Sequence, residues 1–299
     1  MGIFRGAKKR KIMIPASVYT LFFSPTGTTA RTADAIAAAL ARDTARPDAS
    51  IPVRRIDLTH AAAAPVTLPP EAAVVIAVPV YGGHVPPLAA ERMKQVRGTQ
   101  TPAVMVAVYG NRAFEKAPAE LAALATAQGF RPVAAGAFIG EHSYSSPATP
   151  IAAGRPDTDD LARAAAFGAA VRQKLASAKA DEAPAAVDVR KLKAPATPLW
   201  PLLRFIVFAL GYLRRQKRHP VVYLPAANAD LCTHCGRCAA VCPTEAIRRG
   251  DELHTDPGRC IRCCACVKGC PVGARTFDTP FAAALARNFG KRKPPVTLL

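Results

Sequence analysis

Nine cysteines fall between Cys232 and Cys270 of this 299-residue chain, and none precedes them. Eight keep one spacing twice over. Cys232, Cys235, Cys238 and Cys242, followed by Pro243, fit C-x2-C-x2-C-x3-C-P, and Cys260, Cys263, Cys266 and Cys270, followed by Pro271, repeat it with every position offset by 28 (232 to 260). Zinc takes two CxxC pairs separated by a longer loop, whereas three thiols at every third position wrap one corner of an iron–sulfur cube. The chemistry expected is thiolate ligation of two [4Fe-4S] clusters. Cys264 alone is off register; it reads as a small buried side chain beside a cluster, with a redox or spare-ligand role as the alternative.

Over about residues 221–279 these motifs resemble bacterial-type 2[4Fe-4S] ferredoxins. The resemblance implies that the fourth cysteine of each run crosses to the other cluster. One cluster then takes Cys232, Cys235, Cys238 and Cys270, and the other takes Cys260, Cys263, Cys266 and Cys242. Cysteines confined to one such module do not form a scattered disulfide framework and fit a reducing compartment.

Cubes with a cysteine on every iron pass single electrons and make no bonds, so a second redox group is expected on the same chain. Residues 17–24 (SVYTLFFS) form a strand-like apolar run. Ser24, Pro25, Thr26, Gly27, Thr28 and Thr29 follow, and then an alanine-rich stretch that places Ala33, Ile36, Ala37 and Leu40 on one helical face. A strand, a hydroxyl-rich loop and a helix make a phosphate cradle, with first-turn N–H groups and side-chain hydroxyls as donors. The alternative is a plain helix cap with turn residues. The lysine of GxxxxGK[ST] and the GxGxxG fingerprint are both missing, which suits a single terminal monophosphate.

The elements that must position this loop follow in alternation. Strands are expected at Val53–Leu58, Ala73–Val80, Ala103–Val108 and Pro132–Ile139, and helices near 87–97, 114–128 and 158–177, giving an α/β doubly wound parallel sheet. Three strands run into PVYGGHVP (79–86), VYGNRAF (108–114) and IGEHSYS (139–145). In such sheets ligands lie beyond the carboxyl ends of the strands, where these loops gather.

Residues 16–177 look like a flavodoxin-like domain, and joined to the cysteine module they resemble the flavodoxin/ferredoxin fusion proteins of the EFR-type ferredoxin family. The resemblance implies FMN. Ser24, Thr26, Gly27, Thr28 and Thr29 would hold its phosphate, and Tyr81, Gly82, Gly83, Tyr109, Gly110 and Asn111 would approach its ring. His84, His142, Arg112 and Glu141 lie in the same loops and read as capping or surface groups, with hydrogen bonding to flavin as the alternative; none is assigned as catalytic.

The expected organisation is a flavodoxin-like unit at 16–177, a linker with an apolar helix at 178–220, a small α+β two-cluster ferredoxin unit at 221–279 and a basic tail at 280–299. Within the linker, residues 199–213 (LWPLLRFIVFALGYL) are 15 residues long and interrupted by Arg204, too short to span a bilayer. They read as a buried helix docking the two units, or as a membrane-surface helix with a basic flank. Lys plus Arg number 40 against 21 Asp plus Glu, a net charge of +19, with clusters at 5–11, 214–219 and 287–293. This favours an acidic partner surface, a phosphate-rich surface or an anionic membrane. The expected partner is a redox protein with an acidic docking surface; no nucleic acid is expected, because the basic runs lack the interleaved aromatics of nucleic-acid binding. No signal-peptide pattern opens the chain, so the expected site is cytoplasmic, peripheral at the inner membrane face if residues 199–213 touch lipid. The expected function is an electron relay between FMN, the clusters and an external partner. The alternatives are an FMN-dependent reductase of a quinone or other small oxidant and, more weakly, a nucleic-acid-binding module with structural clusters.

Overall fold

The structure, a computed structural model, describes residues 14–42, 51–60, 65–178 and 183–299. The basic cluster at 5–11 and part of the 178–198 linker lie outside the described residues.

The first half of the chain alternates strand and helix: β1 (Ser17–Phe22), α1 (Thr28–Ala41), β2 (Val53–Asp57), β3 (Val66–Leu68), β4 (Ala72–Pro79), α2 (Pro87–Met93), β5 (Val96–Gly98), β6 (Thr101–Tyr109), α3 (Ala117–Ala127), β7 (Phe130–Ile139) and α4 (Thr158–Ser177). β2, β1, β4, β6 and β7 lie side by side and all parallel, while the short β3 and β5 pair separately. Counting only the five main strands, the order is 2-1-3-4-5, that of flavodoxin-like sheets, and it reverses between β1 and β4. β4 and β6 are buried along nearly their whole length, as central parallel strands covered on both faces must be. α1 and α4 cover one face through Ile36, Leu40, Phe167 and Val171; α2 and α3 cover the other through Met93, Leu121 and Ala125.

The second half contains α5 (Leu199–Arg218), β8 (Ala226–Ala227), α6 (Arg237–Ala240), α7 (Ala265–Lys268), β9 (Arg275–Thr276), α8 (Pro280–Asn288) and β10 (Val296–Leu298). The cysteine module is a small α+β unit: β8 pairs antiparallel with β9, and the single-turn helices α6 and α7 carry Cys238 and Cys266. The 28-residue repeat extends to the backbone. Left-handed φ recurs at His234 and Arg262, at Gly236 and Cys264, and at Glu245 and Gly273.

Two expectations need correction. Residues 280–299 are not a tail: α8 packs against α5, and β10 adds an antiparallel edge strand to β7. The Asn111 amide donates to the Phe289 carbonyl (2.6 Å) and the Lys291 carbonyl (2.9 Å), and Lys293 is buried with its ammonium on the Arg112 carbonyl (2.6 Å) and Thr197 Oγ1 (2.9 Å). Lys293 thus satisfies buried acceptors instead of facing water, while Arg287, Lys291 and Arg292 stay exposed. The helix over 199–213 is also not simply buried. It runs to Arg218, and Phe205 is its one buried residue.

Candidate functional site

Two cavities in the cysteine module share out the eight in-register cysteines. Cys232, Cys235, Cys238 and Cys270 line one; Cys242, Cys260, Cys263 and Cys266, with Cys264, line the other. That is the crossed grouping. The first, outer cavity has one exposed cysteine, Cys235, beside a buried Cys238, whereas the second, inner one has two buried, Cys263 and Cys266, and none exposed. Burial pushes the Cys263 thiol up to about 12 and the Cys266 thiol to about 11, so holding both as thiolates would take a positive charge between them, of the kind iron would supply. At Cys270 burial also raises the thiol, but the N–H groups of Val272, Gly273, Ala274 and Arg275 outweigh it and hold it below the ordinary range. Among the described residues no three His, Cys, Asp or Glu side chains converge as they would on a single metal ion. Thiols spread around a cavity suit a cube whose irons take ligands at separate corners. The donor set fits [4Fe-4S] clusters.

At the carboxyl ends of β1, β4, β6 and β7 lies a third cavity, lined by Ser24, Thr26, Thr28, Thr29, Tyr81, Tyr109, Gly110 and His142 among others. Gly27 is the N-cap of α1 at φ 82 and turns the loop without lining the cavity. Ser24 Oγ accepts from the Ala30 N–H at 3.0 Å, and the Ser24 N–H donates to Thr59 Oγ1 at 2.8 Å. Ser24 therefore caps the helix and still has a hydroxyl hydrogen to donate. First-turn N–H groups lack intrahelical acceptors, so hydroxyls, amides and helix dipole together fit a phosphate.

This cavity continues into a larger, solvent-open space of about 1590 Å³, with Val80, Tyr81, Tyr109, Gly110, His142 and Ser143 common to both. Tyr81 and His84 exchange backbone hydrogen bonds at 3.0 Å across Gly82 and Gly83, whose φ values of 60 and 93 match a type I′ turn. A Cβ on Gly83 would come within 1.9 Å of Glu115 Oε2, and one on Gly110 within 2.3 Å of the His142 ring. Glycine lets both loops close over the space. The Tyr109 hydroxyl is buried with no hydrogen-bond partner among the described residues, an orphan of the kind a bound ring system satisfies.

Not every expected residue lines these cavities. Asn111 lies outside both, its amide spent on the C-terminal segment; His84 Nδ1 is 2.5 Å from Glu120 Oε1 and holds the turn. His142 lies in both cavities. Its Nδ1 accepts from the Tyr144 N–H at 3.1 Å, and burial, with Arg112 and Lys268 nearby, lowers its pKa to about 4; the neutral ring then carries its proton on Nε2. The far wall of the large cavity comes from the second half of the chain: Phe205, Tyr212, Tyr223, Ile261, Arg262, Phe277 and Phe281. Those aromatics carry no motif. Phe205 and Tyr212 fall in the expected docking helix over 199–213, and Ile261 and Arg262 inside the second cysteine run.

Ile261 lines both the large cavity and the inner cysteine cavity. Contacts between the units fix that shared wall. Lys268 Nζ, on α7, donates to Glu141 Oε1 at 2.5 Å and the Ser145 carbonyl at 2.7 Å, and Arg92 reaches the Pro243 carbonyl at 2.6 Å. Burial alone would raise the Glu141 carboxyl; hydrogen bonds from Lys268 and the Gly154 N–H outweigh it and hold it below the usual range.

Residues 224–277 match the family described as the 4Fe-4S dicluster domain. Ferredoxin Fdx2 of Sorangium cellulosum (strain So ce56) is 44% identical over 48 residues, 14% of this chain and 48% of that protein, so the chain spans about half the length of that relative. Among solved structures, a flavodoxin from the domain Archaea aligns over 53% of this chain and 98% of its own at 14% identity and a TM-score of 0.33. A Streptococcus pneumonia TIGR4 flavodoxin aligns over 52% and 98% at 17% identity and 0.32. The fold assignment itself rests on the strand order. Fold and cysteine site together define a protein whose features support electron transfer. More narrowly, the chain joins a unit with a flavodoxin-like α/β strand order to a segment that matches the 4Fe-4S dicluster domain.

Proposed function

We propose that the chain is a single-molecule electron relay: FMN in the two joined cavities of the flavodoxin-like unit, an inner [4Fe-4S] cluster on Cys242, Cys260, Cys263 and Cys266, and an outer one on Cys232, Cys235, Cys238 and Cys270. When bound, FMN exchanges one or two electrons and each cluster one, so the set joins two-electron to one-electron chemistry. The residues bind, orient and insulate. Ser24, Thr26, Thr28 and Thr29 hold the phosphate; Tyr81, Gly82, Gly83, Tyr109 and Gly110 frame the ring; His142 offers an Nε2–H donor. The observation that carries the reading is Ile261, one side chain in the walls of both the ring cavity and the inner cluster cavity.

The outer cavity is the exit toward a partner. Cys235 is exposed, and Arg248, Arg249 and Arg259, the last paired with Glu245, line a surface depression that Gly236 joins to the outer cavity and Ile247 to the inner one. A cationic rim there suits a redox protein with an acidic docking face. Anaerobic purification followed by cofactor analysis tests the reading: about one FMN and about eight irons per chain are expected, four per cluster. Zinc-loaded, colourless protein would overturn it.

A second reading has its own support. Phe205, Tyr212, Tyr223, Phe277 and Phe281 give the ring cavity an aromatic far wall, suited to a planar apolar oxidant such as a quinone. Catalytic turnover of a soluble quinone by the reduced, loaded chain would establish that reductase activity; its absence would leave the relay to a protein acceptor.

A further inference from the structure

α5 presents two unlike faces. Phe205, Phe208 and Tyr212 turn inward, where Phe281 of α8 packs on all three with ring centroids 6.3, 5.2 and 4.8 Å away. The outward face has no such cover. Leu199, Leu203, Ile206, Leu210 and Leu213 follow one another at alternating steps of four and three, a continuous stripe, and Trp200 and Val207 flank it. All seven are exposed: Trp200 by 76%, Val207 by 70%, Leu199 by 65% and Leu213 by 61%. Val221 and Val222, just past the helix, are exposed as well. An apolar surface of this extent signals a contact.

Charge decides what covers it. Arg204, Arg214, Arg215, Lys217 and Arg218 are exposed on the same helix, and no acidic residue occurs between Asp188 and Asp230. A second copy seated on this face would press cations together with no counter-charge from either α5. A bilayer with anionic headgroups supplies apolar depth and negative charge at once. No helix among the described residues is long and apolar enough to cross a membrane, so the contact lies along the surface. A tryptophan at one end and an arginine and lysine cluster at the other are the usual anchors of such helices.

We infer that α5 docks this protein, by its outward face, onto an anionic lipid surface. The inner face of the same helix contributes Phe205 and Tyr212 to the ring cavity. Docking therefore holds that cavity about one helix diameter, roughly 10 Å, from the headgroups.

Flotation of the full, cluster-loaded chain with vesicles of phosphatidylcholine, alone or mixed with phosphatidylglycerol, tests the inference. Binding to the mixed vesicles is expected, and it should weaken as salt rises from about 0.05 M to about 0.5 M. The exposed-face double variant V207E/L210E should lose at least about tenfold in affinity, and R214Q/R215Q about fivefold per charge removed. Both should keep the visible cluster absorbance. Equal binding to neutral vesicles, no binding at low salt, or unchanged binding by V207E/L210E would overturn the inference. So would a dimer in sedimentation velocity that V207E/L210E dissolves while vesicles fail to bind; a second copy would then cover the face. Vesicle binding is read with or without flavin, so its failure is separate from failure of the relay.

Discussion

The two cysteine runs share spacing, proline and backbone pattern, yet their surroundings differ. The run at 232–243 presents Cys235 to solvent beside an arginine-rimmed depression. The run at 260–271 buries Cys263 and Cys266 and lends Ile261 and Arg262 to the ring cavity. The repeat builds two equivalent holders; what surrounds each makes one an inner station and the other an outer one. Burial and hydrogen bonds to sulfur are the levers by which a protein sets cluster potentials, and they differ between the two.

The largest effect should come from breaking one holder at a time. C263S is expected to lose about half of the roughly eight irons and all flavin-to-partner transfer, whereas C235S loses a similar share of iron but leaves exchange between flavin and the inner cluster. Iron analysis with flavin bleaching on cluster photoreduction separates the two; equal loss of that exchange in both variants would erase the inner and outer distinction.

The next prediction concerns what holds the inner run against the flavin-side unit. K268M leaves Glu141 without its ammonium partner and should cost about 1–3 kcal/mol of stability near neutral pH. Glu141 is held below its unfolded value, so its contribution is present above about pH 4.5 and is lost as pH falls through the folded value. The gap in Tm between wild type and K268M should therefore narrow on acidification. His142 adds a second acid-side loss, because its folded pKa of about 4 lies below the unfolded value near 6.5. Its imidazole resonances should not titrate between about pH 5.5 and 8.

At the outer run, R248E/R249E should slow association with an acidic electron-transfer protein by about tenfold, with a weaker salt dependence and unchanged iron content. Unaltered association rates would place the docking face elsewhere.

The smallest effect bears on the one departure from the repeat. Cys264 stands where the first run has Gly236, in the same left-handed conformation, at φ 58 against 72. C264G and C264A both remove the thiol, but alanine keeps the strain of a side chain at positive φ. C264G should be more stable than C264A by about 1 kcal/mol, and both should keep full iron. Iron loss in both would make Cys264 a ligand.

Legibility in the sequence followed the locality of the physics. Cluster ligation depends on spacing within a dozen residues, so Cys232 to Cys270 could be read directly, and aligning the two runs would also have exposed Cys264 opposite Gly236. Strand, loop and helix around Ser24 to Thr29 are local too. The C-terminal twenty residues were not legible, because the three-residue β10 exists only through its pairing with β7, and Lys293 is held by hydrogen bonds to acceptors far away in sequence. Asn111 sat in the right loop, but its amide is taken by residues 289 and 291. The two-faced character of α5 depends on the position of Phe281 in space, which apolar content cannot reveal.

The central claim is that the inner cluster and the flavin ring lie on either side of Ile261. Anomalous diffraction at the iron edge from anaerobically grown crystals tests it most directly. The account predicts two iron centres, one among Cys242, Cys260, Cys263 and Cys266 and the other among Cys232, Cys235, Cys238 and Cys270, with flavin density across Ile261 from the first. Flavin bound away from the Tyr81 and Tyr109 loops, or an iron-free inner site, would contradict it.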